Sequence, residues 1–147
     1  MIQKSYNGKN ALYIVPTPIG NMDDITKRSI DTLKMVDYIM AEDTRTTGVF
    51  LNKFDIKAKV IASHKFNENI AKEKVINFLN EGKNVAIVTD RGTPLISDPG
   101  YITVKEVSKL GFNVISLPGA CAFVPALTSS GLNTEKFLFY GFLNSKE

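Results

Sequence analysis

The chain has one cysteine, Cys121, and one histidine, His64, in its 147 residues. A single cysteine excludes an intramolecular disulfide and any cysteine-cluster metal site. A single histidine makes a histidine-based zinc centre improbable, so no metal site is expected. No apolar run approaches the roughly 20 residues that a membrane span requires. Residues 1–10 are polar, with Lys4 and Lys9 and no apolar signal core, which points to a cytoplasmic protein without a membrane partner. Two glycine signatures are missing, G-x-G-x-x-G and G-K-[ST], and no G-x-S-x-G nucleophile elbow occurs. Dinucleotide binding, phosphate-loop chemistry and acyl-enzyme hydrolysis all lose ground. The net charge of +3 permits an anionic partner without demanding one.

What is present is an alternation of short apolar runs and amphipathic stretches. Strands are expected at 11–15, 38–41, 60–62, 85–88 and 114–117, with helices between them. Asp23 or Asp24 is expected to cap the first helix and Thr44 the second. Glycines at 82 and 111 close two later helices. Strands joined through helices by short loops imply an α/β fold with a parallel sheet and right-handed crossovers. After Pro118-Gly119 come a small-residue helix over 120–130 and a β-like aromatic run at 137–143. The expected division is a polar segment 1–10, an α/β domain 11–117, and a segment 118–147 opening a second, truncated α/β domain. A terminal strand this apolar normally needs a partner.

The organising stretch is 85–100, where a buried strand breaks into a loop holding Asp90, Gly92, Thr93, Pro94, Leu95, Ile96 and Gly100. A loop at the carboxyl edge of such a sheet is where ligands usually bind. Gly92 and Gly100 allow close backbone approach, and Pro94 and Pro99 restrict the loop. Other polar clusters fall on the same edge: 18–21, 42–45, 64–68 and 118–122. Each also has a plainer reading. Glu42-Asp43-Thr44-Arg45 suits a helix cap as well as a forked grip on RNA phosphate. His64 suits either a general base or a hydrogen-bonding surface residue. Cys121 suits either a reactive thiol or a small buried apolar group.

Three motifs go beyond a generic α/β pattern: LYIVPTPIGN at 12–21, AEDTR at 41–45 and GTPLISDPG at 92–100. Together they closely resemble the bacterial small-subunit ribosomal RNA ribose 2′-O-methyltransferase I family, part of the tetrapyrrole methylase superfamily. The resemblance implies an S-adenosylmethionine-dependent enzyme methylating a cytidine ribose in the decoding region of 16S RNA. It implies a tetrapyrrole-methylase-like N-terminal domain, a cofactor held between two α/β domains, and a homodimer. DNA is not an expected partner. Carried over by position, Pro18, Asp90, Gly92, Thr93, Pro94, Leu95, Ile96, Cys121 and Ala122 match cofactor-side positions. Asp43, Arg45 and His64 match a catalytic rim, and Asn21, Glu42, Asn67 and Glu68 an RNA-facing one. Arg91 stands where the family usually carries a small residue, and Cys121 where serine is usual. Family members are longer than this chain. Two other functions compete: a methylase of a small tetrapyrrole, and a non-catalytic, truncated α/β dimerisation module. The PTPIGN turn argues against the tetrapyrrole branch, which has G-x-G-P-G-D there.

Overall fold

A computed structural model describes residues 8–143. Five strands form one parallel sheet: β1 (Ala11–Ile14), β2 (Tyr38–Ala41), β3 (Lys59–Ala62), β4 (Val85–Val88) and β5 (Asn113–Ser116). Their order across the sheet is β3-β2-β4-β1-β5. Five helices connect or follow them: α1 (Lys27–Met35), α2 (Thr44–Lys53), α3 (Glu68–Asn80), α4 (Tyr101–Lys109) and α5 (Phe123–Thr128).

The two-residue period of each strand divides the core in two. Ala11, Tyr13, Ile39, Ala41, Ala86, Val88 and Ile115 face α1 and α2, meeting Leu33, Phe50 and Leu51. Leu12, Ile14, Met40, Val85 and Ile87 face α3 and α4, meeting Ala71, Val75, Leu79 and Val107. All four residues of β1 and of β4 are buried, as central parallel strands covered on both faces must be. The fold class is thus the α/β parallel sheet expected.

Local details differ in instructive ways. Asn21, not an aspartate, caps a short 3-10 turn over Met22–Asp24. Thr26 then caps α1, with its hydroxyl accepting from the Ser29 amide. At α2 the cap is Asp43 and not Thr44. Its carboxylate reaches the amides of Arg45 and Thr46, and a negative charge also complements the helix N-terminus. The helix expected over 120–130 is shorter, α5, and it carries no buried residue. The 137–143 run forms no strand. Among the described residues no strand lies beside it, and an extended segment without a hydrogen-bonding neighbour has no ladder to join. Its large side chains, Phe137 to Phe142 and Leu143, are exposed. Among the described residues no helix is long and apolar enough to cross a membrane.

Candidate functional site

β1 and β4 lie side by side, yet their chains leave in opposite directions. β1 leads to α1 on one face and β4 to α4 on the other. Such a switch point opens a crevice at the carboxyl edge of the sheet. Here the two exits are fastened across it. The Thr17 amide donates to the Gly92 carbonyl at 3.0 Å, and the Gly92 amide returns a bond to the Thr17 carbonyl at 2.9 Å. The buried Thr17 hydroxyl donates to the Thr89 carbonyl at 3.1 Å. Gly92 has φ +85°, and a Cβ there would stand 3.2 Å from Ile19 Cγ2. The exit of β5 is drawn in as well. Thr93 Oγ1 donates to the Ala120 carbonyl at 2.9 Å, and Gly119 passes so close to Pro16 that a Cβ would lie 2.7 Å from it.

Two cavities flank this fastening. One, of about 620 Å³, lies on the α2 side and is lined by Thr17, Pro18, Met22, Thr47, Phe50 and Asp90 among others. The other, of about 490 Å³, lies toward α5 and is lined by Gly92, Thr93, Ile96, Asp98, Cys121 and Ala122, with Phe123, Phe139 and Phe142 closing it. Arg91 borders both. The cofactor-side residues named from the sequence therefore divide. Pro18 and Asp90 stand at the first cavity, and Gly92, Thr93, Ile96, Cys121 and Ala122 at the second. Pro94 and Leu95 line neither: Pro94 is buried, and Leu95, with φ +72°, packs against the α3–α4 core. A proline and a leucine in a sharply turned loop serve here as its anchor.

The remaining named residues form a brace along the rim. Glu42 Oε2 accepts from Thr89 Oγ1 at 3.2 Å, and Asp90 Oδ1 accepts from the Asp43 amide at 3.2 Å, joining the ends of β2 and β4. Arg45 pairs with Asp43 at 3.3 Å. The Arg45 amide and guanidinium hold the exposed Asp43 carboxyl below the usual carboxylate range. Asn21 is committed to capping, its Oδ1 accepting from the Asp23 amide. Asn67 accepts from the His64 amide at 2.8 Å and donates to the Ala62 carbonyl at 3.1 Å, shaping the β3–α3 loop. Glu68 Oε1 accepts from the Gly100 amide at 2.8 Å and so caps α4 from a different element. His64 Nδ1 is buried and makes no hydrogen bond. Asp98 is pushed up by burial, with the Thr89 hydroxyl opposing the shift and the Asp90 charge adding to it. Among the described residues no three His, Cys, Asp or Glu side chains are grouped to hold a metal ion.

Several lining residues were not singled out from the sequence. Thr17 and Thr89 are small polar residues at strand exits whose burial depends on register. The aromatic walls Phe50, Phe123, Phe139 and Phe142 read in sequence as ordinary core or strand. Only Thr17, set between two prolines, carried a usable signal.

Comparison with known proteins places these features in a family. Residues 11–141 match the model for tetrapyrrole (corrin/porphyrin) methylases. The chain is 48% identical to the ribosomal RNA small subunit methyltransferase I of Escherichia coli O157:H7, over 98% of this chain and 50% of that protein. It is 47% identical to the protein of that name from Bacillus subtilis, over 99% of this chain and 51% of that protein. The chain thus spans about half the length of the curated relatives it matches. Among solved structures, the uroporphyrin-III-C-methyltransferase of Thermus thermophilus superposes with a TM-score of 0.65 at 20% identity, covering 84% of this chain and 54% of that one. That likeness speaks to the fold. With its parallel sheet, its fastened switch point and a family match running from the first strand to beyond α5, the chain belongs to the tetrapyrrole methylases.

Proposed function

We propose that this chain is the cofactor-holding part of an S-adenosylmethionine-dependent methyltransferase that acts on small-subunit ribosomal RNA. The product is a cytidine 2′-O-methyl group in the decoding region of 16S RNA, and the enzyme works as a cytoplasmic homodimer. Residues 11–117 form the cofactor and substrate domain, and 118–147 open a second one. The observation that carries the reading is the convergence of Gly92, Thr93, Ile96, Cys121 and Ala122 on one cavity beside the Thr17–Gly92 fastening. The names of the relatives favour RNA over a tetrapyrrole as substrate.

The residues present suit the cofactor. The second cavity has the size of a small-molecule site. Its apolar walls at Ile96, Phe123 and Phe139 suit a nucleoside base and the methylene chain beside the sulfur, and the Asp98 carboxyl can accept from hydroxyl or ammonium donors. The bare backbone at Gly92 lets a ligand approach where a Cβ would intrude. Bound there, the cofactor supplies a methyl group on a positively charged sulfur. The chain's own task is mainly positioning. The first cavity, with Pro18 and Asp90, receives the target nucleotide across the fastening. Asp43 holds Arg45 at the rim for a forked contact with an RNA phosphate. His64 lines neither cavity; the proton-handling role for the ribose hydroxyl, a poor nucleophile until its proton is drawn off, is given to it on the family resemblance alone. Asn21, Asn67 and Glu68, through the backbone contacts described above, and Glu42, through the Thr89 hydroxyl, shape the RNA-facing edge.

Calorimetric titration of the chain with S-adenosylhomocysteine tests the cofactor half of the reading. Saturable binding that is lost in Gly92→Val is expected, and a folded chain that takes up no ligand overturns it. Transfer of tritiated methyl groups to small ribosomal subunits tests the rest. Label that appears on a base, with no alkali-resistant ribose linkage, overturns the 2′-O assignment.

A further inference from the structure

Away from both cavities, on the α3–α4 side of the rim, a third hollow of about 320 Å³ lies between the 65–70 segment and Ile102. Its border mixes polar side chains with the apolar Phe66, Ile70 and Ile102, and Tyr101 follows Gly100 at the start of α4. Phe66 is 95% exposed, Ile70 62%, and Tyr101, beside Ile102, 65%. Large apolar side chains gathered at one hollow and open to solvent, as Phe66, Ile70 and Ile102 are, mark an interaction surface. Two basic side chains near them are unpaired among the described residues, while the acidic ones are engaged. Lys65 lines the hollow, and Lys105 Nζ stands 5.8 Å from the Tyr101 ring centroid. Among the described residues neither lysine has an ion-pair partner. The nearby acids are already engaged. Glu68 is turned onto the Gly100 and Ile102 amides, Glu73 pairs with Lys72, and Glu106 pairs with Lys109. Asn69 adds an amide at the border.

We infer that this hollow and the adjoining start of α4 form a docking surface for single-stranded RNA, in which Phe66 at the hollow and Tyr101 on α4 stack on unpaired bases while Lys65 and Lys105 meet the flanking phosphates. Flat rings that are open to solvent and interleaved with unpaired cations suit splayed bases, since every base offers a face to stack on. The hollow adjoins the rim through His64 and Asn67, so a strand held here runs on toward the crevice. The inference rests on the RNA reading above and adds the residues that would hold the strand outside the crevice.

The test measures fluorescence anisotropy of a labelled, unstructured oligoribonucleotide of about ten nucleotides, titrated with the wild-type chain and with Phe66→Ala, Tyr101→Ala and Lys65→Gln. S-adenosylhomocysteine binding and sedimentation velocity are recorded for each variant. Each aromatic substitution is expected to weaken RNA binding about tenfold. Lys65→Gln is expected to lower the slope of log K against log salt by about 0.7. Cofactor binding should not change, because all three side chains lie at the surface and away from the second cavity. Wild-type binding that the aromatic variants leave intact overturns this surface and spares the RNA reading. A wild-type chain that binds the cofactor but no RNA overturns both. Variants that retain RNA binding but lose self-association assign the hollow to a second copy of the chain and overturn the inference.

Discussion

Thr17 and Gly92 clasp each other through both of their backbone amide groups, at 3.0 and 2.9 Å, and so join loops that leave the sheet toward opposite faces. Gly92 can take part because its φ of +85° costs a glycine little. Any Cβ at this position adds the left-handed penalty, about 1–2 kcal/mol, and presses on Ile19. Gly92→Ala is therefore expected to lower the unfolding free energy by about that amount in a urea titration. S-adenosylhomocysteine affinity should fall with it, because the clasp sets the width of the second cavity.

Glu68 caps a helix that belongs to a different part of the chain. Its carboxylate supplies the cap that Gly100, lacking a side chain, cannot give to α4. Glu68→Ala should cost about 1 kcal/mol of stability, whereas Glu68→Gln keeps an acceptor and should recover most of it. Thermal melts of the two variants side by side decide the matter. Equal losses would mean that the charge alone is responsible.

Asp98 carries a stability that depends on pH. Burial raises its folded-state pKa above the unfolded value of 3.8, so ionisation is harder in the folded chain. Its contribution is most favourable below pH 3.8 and declines as the pH rises through the elevated folded value. Asp98→Asn should accordingly be slightly more stable than wild type at neutral pH. The gain should vanish in acid denaturation experiments near about pH 3. A gain that persists there would trace to packing.

Arg91 borders both cavities and carries a permanent charge. S-adenosylmethionine has a positive sulfur that S-adenosylhomocysteine lacks. Arg91→Ala should thus tighten the former by up to about fivefold, the equivalent of roughly 1 kcal/mol between exposed charges, and the latter much less. An equal change for both ligands would point to steric crowding by the side chain.

The sheet was readable because its central strands β1 and β4 are apolar at every position and buried on both faces, where a slip of one residue is not tolerated. Helix caps were less so. Whether Asp43 or Thr44 caps α2 depends on which oxygen reaches the amides of Arg45 and Thr46, a matter of ångströms that composition does not record. The 137–143 run shows the converse error. Its aromatic content suits a strand, but strand formation depends on a neighbour and not on the segment alone. The rim was legible as a set of polar loops. Its partition into two cavities was not, because that partition rests on Thr17 meeting Gly92 across most of the domain's length, and nothing local in either loop announces the other.

The strand order also has a kinetic consequence. β1 and β2 are the first strands to be synthesised, yet they never touch; β4 must enter between them. A nascent chain that stops before Val85 owns the β2–β3 pair and an orphaned β1, with no common edge. The sheet becomes continuous only when its central strand arrives late and pairs on both sides at once. Closure over such sequence distances is intrinsically slow, and until it happens the apolar edges of β1 and β2 stay open to other chains. Conditions that delay β4, such as a pause in translation just before it, should therefore favour aggregation over folding.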